Sequence, residues 1–261
     1  MDKLEFAKDL ALEAGKIMKA NFTLNMEKQW KEDASPLTVA DTTINRLVID
    51  KVRAEYPDHN VKGEEESALG NESSYLWVCD PVDGTIAFSH GLPISTFSLA
   101  LVQDGISQLG VVYDPFMDRM FSAEKGKGSF LNNEAIKVSE LGITSLNKSA
   151  MAIENFARAK YDLIETERFL TEKNVKLMKL CSIVYPTVLV ANGEFIGTIF
   201  PHDTAHDAAA IKIIVEEAGG KVTDLFGNDQ RYDQPIKGFI ASNSKIHEEL
   251  VKIVADTIKE R

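Results

Sequence analysis

The string Asp80-Pro81-Val82-Asp83-Gly84-Thr85 concentrates more chemistry than any other stretch of this 261-residue chain. It follows Tyr75–Cys79, a short run of aromatic and branched residues that reads as a buried strand. Asp80 then stands at the strand's end, where a side chain leaves the core without leaving the scaffold. Pro81 stops ladder pairing and stiffens the turn. Asp83 returns a second carboxylate to the neighbourhood of the first. Gly84 lets backbone approach a ligand closely, and Thr85 adds a hydroxyl beside exposed amides. Two carboxylates so near each other repel strongly in a partly buried site. A divalent cation resolves that conflict, and hard oxygen ligands favour Mg²⁺. Asp-Gly alone is an ordinary turn; the full string is far more specific.

Two further acidic features have bland readings when taken singly. Gly63-Glu64-Glu65-Glu66 follows a turn at Pro57–Asn60, and a glutamate run is usually a solvated face. Asp207, in Ala205-His206-Asp207-Ala208-Ala209-Ala210, suits the first turn of a helix. Its neighbours His202 and His206 invite roles as acid or metal ligand, yet a histidine flanking a carboxylate is more often a packing or supporting residue. His90 is given no catalytic role, and Cys79, inside an apolar run, reads as an inert core thiol.

Positioning these residues requires a scaffold. Apolar residues from Leu4 to Phe22 recur at helical spacing, which predicts a helix over 3–22. After a loop at Lys31-Glu32-Asp33-Ala34-Ser35-Pro36, a second helix is expected from Val39 to Tyr56, closed by Pro57. Strands are expected at Thr96–Gln103, Gly105–Tyr113 and Arg119–Ala123, with Asp104-Gly105 as a hairpin signal. That pattern predicts an antiparallel meander against the two opening helices. Beyond residue 140, strand candidates at Ala150–Ile153, Val175–Leu180, Phe195–Phe200, Lys221–Thr223 and Gly238–Ala241 alternate with helices at 158–172, 184–192, 205–218 and 244–259. The reading is one α+β or α/β unit in which two sheets share helical layers. Its N-terminal half, 1–140, carries most of the acidic site, and 141–261 completes it.

Composition narrows the function classes. With 29 Lys+Arg against 40 Asp+Glu the formal net charge is −11, which disfavours general nucleic-acid or anionic-membrane binding. It leaves room for an anionic small molecule if a cation mediates the contact. No segment approaches the roughly 20 apolar residues of a membrane span. The acidic, amphipathic start is unlike a signal peptide. Two cysteines, Cys79 and Cys181, cannot build a disulfide framework. A cytoplasmic protein is the expectation.

The ordered set Thr38-x-x-Asp41, Gly63-Glu64-Glu65, Asp80-Pro81-Val82-Asp83-Gly84-Thr85, Asp207-Ala208-Ala209 and Glu217-Ala218-Gly219-Gly220 resembles the inositol monophosphatase family over nearly the whole chain. These are Mg²⁺-dependent, lithium-sensitive phosphomonoesterases. The resemblance implies a layered α-β-α-β-α sandwich of the inositol monophosphatase and sugar phosphatase type, holding two or three Mg²⁺ ions. It implies Glu64, Asp80 and the Val82 carbonyl as ligands of a first metal, and Asp80, Asp83 and Asp207 as ligands of a second. Thr85 and Asp41, with Glu64, match the residues that orient the attacking water. Gly84, Thr85, Asp207 and the position of Phe200 fall in the substrate site. A small phosphorylated metabolite as partner, and a homodimer, follow from the same resemblance.

Three departures bear on substrate. His206 stands where the family usually has tryptophan, and Ala87 where asparagine is common. Counting back from Asp207, Phe200 falls where inositol-specific relatives place a glutamate, unless Asp203 or His202 takes over its contact. None removes a metal ligand. The main expectation is therefore Mg²⁺-dependent hydrolysis of a small phosphate monoester, with broad or non-inositol specificity. Histidinol phosphate, a sugar phosphate or a 3′-phosphonucleotide are the alternative substrates. A regulatory, protein-binding role on the same fold is the alternative class.

Overall fold

A computed structural model describes every residue except Met1, Asp33, Asn71, 140–145 and Ala157. The expected boundary at 140/141 and one residue of the expected loop, Asp33, thus lie outside the described residues. The chain opens with α1 (Lys3–Asn21), a small antiparallel pair β1 (Gln29–Trp30) and β2 (Pro36–Leu37), and α2 (Val39–Glu55). Asp2 caps α1, accepting from the amides of Leu4 at 2.9 Å and Glu5 at 3.1 Å. Thr38 and Asp41 form a capping box at the start of α2. That local device already fixes one residue of the acidic site.

Next come β3 (Asn60–Gly63), β4 (Ser67–Ala68), β5 (Tyr75–Asp83), the short α3 (Thr85–Ser89), β6 (Thr96–Gln103), β7 (Ile106–Asp114), β8 (Arg119–Glu124), β9 (Gly128–Leu131) and β10 (Glu134–Ile136). They build an eight-stranded sheet in the order β10-β9-β8-β7-β6-β5-β3-β4. The expected meander is β5 to β8, and β9 and β10, which the sequence reading did not expect, extend it at one edge. Sequence reading missed β3, which pairs in parallel with β5 from Asn60↔Leu76 to Gly63↔Cys79. Its polar flanks, Asp58-His59 and the glutamates, disguise four residues of strand.

The rest comprises β11 (Ala150–Ile153), β12 (Tyr161–Asp162), α4 (Ile164–Glu172), β13 (Lys176–Met178), α5 (Val184–Ala191), β14 (Gly197–Phe200), a 3₁₀ turn at Ala205–Asp207, α6 (Ala209–Glu217), β15 (Gly220–Thr223), β16 (Phe239–Asn243), α7 (His247–Thr257) and β17 (Lys259–Glu260). Five of these strands form a mixed sheet, β13-β11-β14-β16-β15. The helix expected over 205–218 is broken, because the turn at Ala205–Asp207 is 3₁₀ and α6 starts only at Ala209.

Alternation along the strands sorts side chains into layers. Trp77, Cys79, Phe97, Leu99 and Leu101 pack with Leu10, Ala14, Ile44 and Val48 of α1 and α2. Val78, Ala100 and Val112 point the other way, into a core shared with Val184 and Val188 of α5, Ile211 and Ile214 of α6, and Phe239 and Ala241 of the second sheet. Beyond that sheet, Met151, Ile199 and Ile240 pack on Leu170 of α4 and Leu250 and Val254 of α7. The result is the five-layer α-β-α-β-α sandwich. Gly110 lets α6 lie flush on β7: a Cβ there would sit 2.6 Å from the Ala210 carbonyl. Among the described residues no helix is long and apolar enough to cross a membrane.

Candidate active site

The site gathers where β5 ends, beside the starts of α2, α3 and α5 and the turn before α6. The expected strand end at Cys79 is corrected here. β5 continues to Asp83, but Pro81 has no amide to donate, so the ladder skips from Asp80↔Ser98 to Asp83↔Thr96. This bulge directs both carboxylates into the interior. Gly84 follows at φ 78°, where a Cβ would lie 2.8 Å from the Ile94 carbonyl, so glycine alone fits the exit.

Asp80, Asp83 and Asp207 are all buried, and each offers a carboxylate oxygen within 4.8 Å of the other two. Their surroundings differ. Asp83 accepts from the amides of Ile183 (2.8 Å), Val184 (3.1 Å) and Tyr185 (3.2 Å) at the start of α5, and from Thr96 Oγ1 (3.1 Å) and the Ser182 hydroxyl. Burial raises its pKa, and the bonds from Ser182, Ile183 and Val184 oppose that rise. Burial would likewise raise Asp207, but the charge of His206 and the contacts from His202 and Thr204 outweigh it and hold this carboxyl below its ordinary value. His202 Nδ1 lies 3.5 Å and His206 Nε2 3.9 Å from its oxygens. His202 is itself raised: the contact and charge of Asp207 overcome burial. Among the described residues Asp80 makes one contact of this kind, from the Val82 amide at 3.0 Å. Burial first, then the charges of Glu64, Asp83 and Asp207, push it well above the carboxylate range.

Glu64 stands next to this group and outside it. Its amide bonds to the Cys79 carbonyl at 3.1 Å, while its carboxylate meets Lys31 at 2.8 Å. Lys31 also holds Glu65 at 2.6 Å. Burial and the charge of Glu64 raise Glu65 to about 7 despite that lysine. Asp41, fully buried, accepts from the Thr38 amide at 2.8 Å and from Thr85 Oγ1 at 3.2 Å. Burial lifts it to about 6 against the pull of the Thr38 bonds. Thr85 Oγ1 also lies 2.8 Å from the Val82 carbonyl. One hydroxyl proton serves one acceptor at a time, so Thr85 has two alternative partners.

Phe200 requires a correction. It lies wholly inside the core with its ring 5.3 Å from that of Phe239, so its side chain cannot line a substrate pocket. Ala87 is buried as well. Cys79 is a buried thiol raised by desolvation. Two contributors escaped sequence reading. Lys31 sits in a loop with no local signal of its role. Ser182 had one, since a serine just before Val184-Tyr185-Pro186 is a helix-start signature.

The donor set fits a hard divalent cation. It consists of clustered carboxylates, one of them with a single hydrogen bond among the described residues, whose mutual repulsion a cation relieves. The profile described as the inositol monophosphatase family matches residues 2–259. A protein named fructose-1,6-bisphosphatase/inositol-1-monophosphatase from Thermotoga maritima is 33% identical over 100% of this chain and 98% of its own. A histidinol-phosphatase from Chlorobaculum parvum is 28% identical over 99% and 98% of the two chains. Among solved structures, a Thermotoga maritima IMPase superimposes with a TM-score of 0.87 at 33% identity, covering 98% of each chain. A layered sandwich with clustered buried carboxylates at one sheet end defines a class of phosphoric monoester hydrolases. This chain belongs to the inositol monophosphatase family, and its reaction is hydrolysis of phosphate monoesters.

Proposed function

We propose that the enzyme is Mg²⁺-dependent and broad in substrate, hydrolysing small phosphate monoesters without strong preference for the inositol ring. The observation that carries the metal reading is the buried Asp80–Asp83–Asp207 cluster. Asp80, Asp83 and Asp207, with Glu64 and the Val82 carbonyl, would hold two or three Mg²⁺ ions. Such ions supply charge stabilisation to the attacking and leaving oxygens of an in-line displacement. The chain's own groups orient the reactants. Thr38 fixes Asp41, Asp41 accepts from Thr85, and a lone pair on the Thr85 hydroxyl is then left to accept from a water. The start of α3, at Gly84 and Thr85, presents amides to a phosphate oxygen. Asp207, between its two histidines, borders the substrate.

Specificity rests on what is missing. Discriminating a hydroxyl-covered ring needs buried acceptors matched to those hydroxyls. Phe200 supplies none, being enclosed in core, and Ala87 supplies none. The varied names of the relatives agree with a permissive site. We further propose lithium sensitivity, a homodimeric assembly and a cytoplasmic location. Unpaired Cys79 and Cys181 suit a reducing compartment. The test is phosphate release from inositol-1-phosphate, histidinol phosphate, fructose-1,6-bisphosphate and 3′-phosphoadenosine 5′-phosphate. Activity should vanish with chelator and return with Mg²⁺. The value of kcat/KM for inositol-1-phosphate should exceed the others by no more than about tenfold. A hundredfold preference abolished by Asp203→Ala would place the missing acceptor at Asp203.

A further inference from the structure

Four of the groups that hold Asp83, the Ser182 hydroxyl and the amides of Ile183, Val184 and Tyr185, come from one stretch where the turn after β13 enters α5. What fixes that turn lies elsewhere in the chain. The amides of Leu180, at 2.8 Å, and Cys181, at 2.9 Å, both donate to Oε1 of Glu154, the residue after β11. Glu154 is 6% exposed, a buried carboxylate that takes no part in the acidic cluster. Its own amide bonds to the Ile199 carbonyl of β14 at 3.4 Å, which anchors it in the second sheet. Burial raises its carboxyl, and the Cys181 and Leu180 amides oppose the rise.

Cys181 shows what the carboxylate is needed for. Its φ is 52°, in the left-handed region that a residue with a Cβ rarely adopts. Such a conformation persists only where its surroundings enforce it. The paired bonds to Glu154 supply that constraint directly before Ser182. A Cβ on Gly84 would lie 3.1 Å from Ser182 Cβ and 3.4 Å from the Cys181 carbonyl, so the same turn packs against the exit from Asp83. Burial, and then the Glu154 charge, hold the Cys181 thiol up, which leaves little thiolate and makes backbone shape its contribution. We propose that Glu154 is a positioning residue of the reaction: by fixing the turn at Cys181 it holds Ser182 and the Ile183 and Val184 amides on Asp83, and so orients that carboxylate. This role rests on the Mg²⁺ reading of the Asp80–Asp83–Asp207 cluster. Removing a group that orients a metal ligand typically costs roughly 10–100-fold in metal affinity.

Glu154→Ala should weaken Mg²⁺ binding at least about tenfold in calorimetric titration of the full chain. In the metal-free chain, hydrogen exchange of the Ile183, Val184 and Tyr185 amides should quicken while the amides of β6 and β7 keep their protection. Glu154→Gln keeps an acceptor oxygen and should retain most of the affinity. Glycine adopts positive φ freely, so Cys181→Gly added to Glu154→Ala should recover at least about threefold of the lost affinity. The proposal is overturned by Mg²⁺ affinity or exchange at 183–185 equal to the parent's, or by exchange rising equally in β6 and β7. It is overturned too if Glu154→Gln behaves as Glu154→Ala, or if Cys181→Gly recovers nothing. A parent chain that binds no Mg²⁺ would break the metal reading by itself, and exchange at 183–185 would still decide for or against Glu154. Should Glu154→Ala fail to fold, Glu154→Asp, which withdraws the oxygen by one methylene, is read in the same ways and decides.

Discussion

The two flanks of the acidic cleft hold their carboxylates by different means. On the flank formed by α5 and the turn before α6, Asp83 and Asp207 are held by helix amides, hydroxyls and histidines, groups fixed to the frame. On the flank formed by β3 and the β1–β2 pair, Glu64 and Glu65 share one long side chain, Lys31, reaching from a loop. Asp80 lies between, with the Val82 amide as its one hydrogen-bond donor among the described residues and the like charges of Glu64, Asp83, Asp207 and Asp41 around it. One flank is built before any cation arrives; the other is neutralised by a charge that can leave. Rigid placement and adjustable charge are thus divided between the two halves of one site.

If Asp80 is the unrelieved charge between the flanks, its removal has the largest effect and opposite signs on rate and stability. Asp80→Asn should lower kcat by at least ~10²-fold, the usual loss for one central electrostatic group. The metal-free variant should nonetheless gain about 1 kcal/mol in urea unfolding, because a buried repulsion is gone. A variant that keeps its rate, or that unfolds more easily than the parent, breaks the distinction drawn for Asp80.

Thr85→Ala comes next. It leaves both flanks intact and removes the hydroxyl between Asp41 and the Val82 carbonyl. A fall of roughly 10–10²-fold in kcat with KM little changed is expected of an orienting contact made mainly in the transition state. Unaltered kcat would leave Thr85 as a turn residue.

The fixed flank is sharpened by Ser182→Ala. Ser182 is buried and donates to Asp83, so its loss should cost about 1.5–3 kcal/mol in the metal-free protein. Equal stability of parent and variant would mean that the α5 amides suffice. Acid sensitivity of the frame itself is read far from the cleft, at His247. This ring is wholly buried between Ser242 Oγ (2.8 Å) and Thr223 Oγ1 (3.0 Å), and burial, reinforced by the Lys221 charge, lowers it to about 4. A base lowered in the folded state is protonated first in the unfolded one. Its contribution is complete above pH 6.5 and disappears as pH falls towards 4, about 2–3 kcal/mol in all. His247→Gln should flatten that part of the melting temperature against pH profile. An unchanged slope would assign acid lability to the cleft carboxylates instead.

How much of this was legible in the sequence depended on locality. The Asp80–Thr85 string, the helical spacing of the opening segments and the apolar strand runs announce themselves within a few residues, while the order of the layers comes from the family resemblance. Long-range pairings do not announce themselves. Lys31 and Glu64 are 33 positions apart, and no feature of the loop around Lys31 marks it. Counting seven residues back from Asp207 placed Phe200 at the substrate, but all four residues of β14 are buried. Pro81 was read as ending a strand that the bulge instead lets resume, because flanking pairs on Ser98 and Thr96 hold both sides of the gap.

The smallest effect belongs to Lys31, and it decides whether the adjustable flank is truly adjustable. Lys31→Met keeps most of the apolar stem and deletes the charge. Burial disfavours that charge, yet Glu64 and Glu65 outweigh burial and raise the lysine's pKa, so the pair forms readily despite being about a quarter exposed. Partial exposure screens the interaction, which limits its worth to about 1 kcal/mol. If the ammonium stands in for a cation, its loss leaves Glu64 and Glu65 uncompensated and deepens the negative potential at Asp80. Mg²⁺ should then bind severalfold more tightly in calorimetric titration, with kcat at saturating Mg²⁺ within about threefold of the parent. If Lys31 instead braces Glu64 as the α5 amides brace Asp83, the same substitution loosens a ligand, and affinity falls. Weaker Mg²⁺ binding in Lys31→Met would make both flanks rigid and erase the difference between them.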